Sequence, residues 1–167
     1  LAWAGGMPLV AATTLEAEAF AYRTSGMPVC PVLDAGRSQL AWALFEERDG
    51  QLHQAGGEGI CDPEELFDAI PTPALLCGEG LERYGEALSR IAPQGVRVVV
   101  PYIPGQRVSA LAYLGSARLQ AGLAQDPSTV QPLYLRRPTI TEPKQPAPPS
   151  APTDAGGAPA TRQRQSR

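Results

Sequence analysis

Residues 29–52 read VCPVLDAGRSQLAWALFEERDGQL. Val29 to Leu33 is a short apolar run interrupted only by Pro31. Asp34-Ala35-Gly36-Arg37 forms a polar corner, and Gln39 to Glu46 is apolar at alternate positions on both sides. Leu40, Trp42 and Leu44 fall on one face of a strand, and Ala41, Ala43 and Phe45 on the other. A strand with two apolar faces must be covered on both, which places it inside a layered α/β domain. Asp49-Gly50 then predicts a type I′ hairpin, because that turn needs positive φ at both central residues. The stretch is thus a three-strand meander.

Upstream, Leu1-Ala2-Trp3-Ala4-Gly5-Gly6 reads as the last turn of a helix closed by glycine, with no initiator Met, which is expected of a chain that opens in mid-structure. Met7 to Ala12 reads as a short strand. Thr13-Thr14-Leu15-Glu16 is a capping box, and the helix it starts carries Leu15, Ala19 and Tyr22 at helical spacing.

Downstream, Asp62-Pro63-Glu64-Glu65 predicts a short helix with Asp62 as N-cap, stopping before Pro71. Ala74 to Cys77 is an apolar strand. Leu81 to Ile91 is a helix with Leu81, Tyr84, Leu88 and Ile91 on one stripe. Val96 to Val100 is β-branched at four of five positions and reads as a buried strand. Val108 to Leu123 reads as a long helix, apolar on most sides, suited to a core or to a partner groove. A meander followed by alternating helices and strands is the order of ribonuclease-H-like domains, two of which build the actin-like ATPase fold. The fold class is therefore α/β, ribonuclease-H-like, over residues 1–137. Residues 138–167, rich in Pro and Ala, are expected to form a disordered tail ending in Arg162, Arg164 and Arg167.

The composition excludes several functions. A net charge of -3 creates no overall basic field for nucleic acid. Cys30, Cys61 and Cys77 form no CxxC, and His53 is the single histidine, so a zinc site has little material. The cysteines read as buried thiols of a reducing cytosol. No apolar run is long enough to span a bilayer.

Asp34 lies at a strand end where ribonuclease-H-like enzymes place a carboxylate for Mg²⁺, but such chemistry needs several acids converging on the metals. Glu46, Glu47 and Asp49 sit by the hairpin, and with Glu79 they form no convergent set. Asp34 reads instead as organising the corner through backbone N–H groups, with Arg37 beside it. Gly78-Glu79-Gly80 follows a strand and opens a helix, a geometry that brings N–H groups towards a phosphate. Gly78 and Gly80 are accordingly candidate nucleotide contacts, with a tight turn as the structural alternative. No catalytic residue and no metal ligand emerges.

Three stretches together resemble the bacterial TsaB (YeaZ) family. Gly6-Met7-Pro8-Leu9-Val10 running into Thr13-Thr14-Leu15-Glu16-Ala17 is similar to its helix end, strand and "SSLEAL"-type segment. Pro31 to Arg37, PVLDAGR, is similar to its "LDAR" corner, and Pro132-Leu133-Tyr134-Leu135-Arg136 to its closing P-x-YLR. Asp34, Arg37, Tyr134 and Arg136 are the family-motif positions. The family's first ribonuclease-H-like half, with its GPGSFTGLR-type loop, has no counterpart here, so the resemblance is to a C-terminal part.

The resemblance implies a non-catalytic scaffold in the cytoplasm. It would serve the complex that forms N6-threonylcarbamoyladenosine next to the tRNA anticodon. Its implied partners are a catalytic TsaD-type subunit, a TsaE-type ATPase, a second copy in a homodimer, and tRNA at the level of the complex. ATP and Mg²⁺ enter at that level as well. The catalytic relative binds metal through an H-x-x-x-H pair, which one histidine cannot supply. The rival readings are a metal-dependent nuclease or an actin-like ATPase or kinase, and a stand-alone interaction domain using the proline-rich tail.

Overall fold

The computed structural model describes residues 2–135. The expected tail and Arg136 lie outside them. Five strands form one sheet in the order β3-β2-β1-β4-β5. β1 (Val29–Gly36), β2 (Gln39–Arg48) and β3 (Gln51–Cys61) are the antiparallel meander, and β4 (Ala74–Cys77) and β5 (Val96–Val98) add in parallel beside β1. Helices α1 (Ala2–Gly5), α2 (Thr14–Phe20), α3 (Leu66–Ala69), α4 (Gly80–Ile91) and α5 (Gly105–Gln120) complete the fold.

β2 divides its side chains between two cores, as its alternation predicts. Leu40, Trp42 and Leu44 pack with Leu66, Leu76, Leu81 and Leu88 on the face covered by α3 and α4. Ala43 and Phe45 pack with Leu15, Ala19 and Leu75 on the α2 face. Leu40, Leu66, Leu76 and Leu88 are each fully buried, and each is worth roughly 1.5–3 kcal/mol relative to exposure. The glycines of β3 accommodate the large ring: a Cβ on Gly57 would stand 3.0 Å from Trp42 Cη2.

Asp49 (φ 53) and Gly50 (φ 78) make the expected left-handed pair. The preceding corner turns later than expected: β1 continues to Gly36, and Arg37 (φ 55) and Ser38 (φ 61) form the turn. α1 ends as predicted at Gly6, with Met7 N–H donating to Ala2 C=O at 3.0 Å. Thr13 Oγ1 accepts from Glu16 N–H at 3.0 Å. The reciprocal half of that box is replaced, because the Glu16 carboxylate is taken by Arg118 of α5.

Other expectations need correction. Within Met7 to Ala12 only Leu9 makes a β-bridge, to Gln125, so this is no strand of the sheet. Asp62 does not cap α3, which starts at Leu66; its carboxylate accepts from Gln39 Nε2 at 3.0 Å instead. β5 is three residues long and half-buried, because it is an edge strand with β4 as its one neighbour. Ile91 is exposed at the end of its stripe. α5 begins at Gly105 and buries only Ala110 and Leu114, leaving Val108, Leu111, Tyr113 and Leu119 exposed. It packs on α2 rather than on the sheet, so one narrow face suffices. Among the described residues, no helix is long and apolar enough to cross a membrane.

Candidate functional site

β1 and β4 run side by side in parallel, and their carboxyl ends deliver Asp34 and Glu79 to the same edge of the sheet. In open α/β sheets such a crevice is where ligands bind. The turn between β4 and α4 is pressed against β1. Gly78 has φ +100, and a Cβ there would lie 2.5 Å from Val32 O. A Cβ on Gly80 would lie 3.0 Å from Leu40 Cδ2 and 3.1 Å from Val32 O. Close backbone approach thus accounts for both glycines.

Glu79, between them, reaches Arg107 of α5, whose Nη1 donates at 2.9 Å. The same Nη1 lies 3.3 Å from Oε1 of Glu18 on α2. Glu18 is only 3% exposed, and the Tyr102 hydroxyl donates to its Oε1 at 2.9 Å. Burial raises the Glu18 carboxyl above the ordinary range, while Tyr102 and Arg107 oppose that rise. Burial and the bond to Glu18 push the Tyr102 phenol up to about 12. The bond to Glu79 leads in holding Arg107 more firmly protonated than usual.

Asp34 occupies the open rim. Its Oδ1 accepts from Gly36 N–H at 2.8 Å and its Oδ2 from Arg83 Nη1 at 3.0 Å. The Gly36 bond first, and then Arg83, hold its carboxyl below the usual range. Its guanidinium partner is Arg83, not the expected Arg37, because the turn at Arg37-Ser38 follows two residues later and α4 stands over the strand end. Asp34, Glu79, Arg83, Tyr102 and Arg107, with Glu82 and Pro104, line a cleft of about 450 Å³.

Tyr134 is exposed and does not enter this cleft. With Leu133 and Leu135 it lines a second, apolar cavity of about 1080 Å³ over Leu33, Ala41, Phe45 and Ile60. His53 is exposed on β3, paired across the ladder with Glu46. Among the described residues no three His, Cys, Asp or Glu side chains are grouped to hold a metal ion. Sequence reasoning passed over Glu18, Arg83, Tyr102 and Arg107. Glu18 carried a usable signal: it follows Leu15 by three residues and precedes Tyr22 by four, so it is an acid on an apolar stripe.

The fold is therefore a ribonuclease-H-like α/β domain with an arginine-bridged acidic cleft at its parallel strand ends. Over residues 1–142 the chain matches the family TsaD: tRNA N6-adenosine threonylcarbamoyltransferase, and it belongs to that family. Two solved structures from Pseudomonas aeruginosa share its fold. YeaZ has a TM-score of 0.57 at 24% identity, with 80% of this chain and 61% of YeaZ covered. An uncharacterized protein with similarity to peptidase YEAZ has a TM-score of 0.56 at 24% identity, with 81% and 62% covered. The chain thus spans about three fifths of the length of each. Among curated proteins none matches its sequence.

Proposed function

We propose that this chain is a non-catalytic scaffold of a cytoplasmic bacterial complex that forms N6-threonylcarbamoyladenosine in tRNA, acting beside a TsaD-type catalytic subunit and a TsaE-type ATPase. The observation that carries this reading is the state of the cleft. Asp34 is engaged by Arg83, and Glu18 and Glu79 share Arg107. Carboxylates tied in this way are poor general bases and poor metal ligands, because each would first have to release a guanidinium. Two further features support it. The family's catalytic relatives use a histidine pair for metal, and this sequence has one histidine. Val108, Leu111, Tyr113 and Leu119 stand exposed on one helix, which suits a chain that works within an assembly.

The test is capture and turnover with purified components. The chain is expected to capture a TsaD-type subunit. It is expected to raise threonylcarbamoyl transfer by that subunit with the TsaE-type ATPase, ATP and Mg²⁺ present, and to give no product on its own. Modified tRNA from the chain alone, or failure of capture, would overturn the proposal.

A further inference from the structure

The charge of this protein is divided between two parts of the chain. Residues 136–167 contain six of the fourteen Lys and Arg, namely Arg136, Arg137, Lys144, Arg162, Arg164 and Arg167, but only two of the seventeen Asp and Glu, Glu142 and Asp154. The remaining residues, 1–135, therefore carry eight cations against fifteen anions. The structure sharpens this contrast. Arg48, Arg83, Arg90, Arg107 and Arg118 each pair with a carboxylate of the folded part. Arg23 lies over the Phe20 ring and donates to the Phe20 carbonyl. The folded part thus presents an excess of negative charge and keeps most of its guanidiniums engaged, which disfavours a polyanion.

We propose that the C-terminal arm, through Arg136, Arg137, Arg162, Arg164 and Arg167, is the element by which this chain contacts RNA. The choice of RNA as the polyanion rests on the tRNA-modification reading above. The arm's arginines meet phosphates in a sequence-independent, salt-sensitive contact, and the acidic domain keeps the RNA off its own surface. The cleft at the strand ends has no part in this contact.

The experiment measures binding of a tRNA transcript to the full chain across a salt series. The wild type is expected to bind at low salt, with an affinity that falls linearly in log–log form. A variant with Arg162→Gln, Arg164→Gln and Arg167→Gln is expected to reduce the magnitude of that slope by about 2 to 3. Adding Arg136→Gln and Arg137→Gln should abolish measurable binding. A control with Arg90→Gln and Arg97→Gln on the domain should match the wild type. The inference is overturned if the wild type binds no tRNA at the lowest salt, if the arm variants keep the wild-type slope, or if the domain variants lose binding. It is equally overturned if the arm instead closes on its own acidic domain. That outcome would appear as a salt-dependent hydrodynamic radius without RNA binding. Capture of the TsaD-type subunit, measured with the same arm variants, fails or succeeds independently, so the complex and the RNA contact are judged separately.

Discussion

Arg107 Nη1 stands 3.3 Å from Oε1 of Glu18, a carboxylate almost wholly removed from solvent. The two residues belong to α5 and α2, and Glu79 closes the bridge from the start of α4. One guanidinium therefore ties three elements together at the cleft.

Arg107→Ala should cost stability because it leaves Glu18 buried with only Tyr102 for support. Breaking a fully buried pair costs about 3–5 kcal/mol, and Arg107 is itself 39% exposed, so about 1–3 kcal/mol is expected after solvent screening. Urea denaturation with an unchanged slope would measure it. Glu18→Gln should cost less, since an amide oxygen still accepts from Tyr102.

The same carboxylate gives a pH signature. Its pKa is raised in the folded state, so the folded chain holds the proton more tightly than the unfolded one. Stability contributed by Glu18 is thus lost as pH rises from the unfolded value, near 4.5, through the raised folded value. Asp34 has the opposite sign: its lowered pKa contributes stability above the unfolded value of 3.8 that is lost as pH falls. The difference in unfolding free energy between Glu18→Gln and wild type should therefore shift in favour of the variant from pH 4.5 upward. A difference independent of pH would show that Glu18 is not the perturbed group.

Gly78→Ala should destabilise by about 3 kcal/mol, combining left-handed backbone strain with a clash against Val32. Gly80→Ala meets longer contacts and should cost about 1–2 kcal/mol. Melting of the two variants side by side gives the ranking, and equal losses would contradict the geometry.

Cys30 and Cys77 are buried, and burial pushes both thiols far above their ordinary range. Cys61 is only partly buried and less strongly shifted. A thiol reagent should modify Cys61 first in the native protein and reach the other two only on unfolding. Rapid native labelling of Cys77 would count against its place in the core.

On α5, Val108→Ser and Leu111→Ser should each change stability by no more than about 0.5 kcal/mol, because both side chains are in solvent. Losses of several kcal/mol in urea titrations would mean that this face is packed.

The sequence by itself determined what depends on neighbours within a few residues. The two faces of β2 followed from alternation, the Asp49-Gly50 turn from φ preferences, the close of α1 at Gly6 from the absence of a Cβ penalty, and β4 from an apolar run. The meander and the helices after it were legible for the same reason, and with them the fold class. Tertiary structure alone decided which distant groups meet. Tyr102 and Arg107 lie more than eighty residues from Glu18, and Arg83 rather than the nearby Arg37 reaches Asp34. It also decided that α5 leaves most of its apolar residues uncovered and that β5 is a half-buried edge. Local pattern reports which face of an element is apolar. What covers that face is set by non-directional burial summed over the whole chain, and the partners of a buried charge are set by where that burial brings the elements to rest.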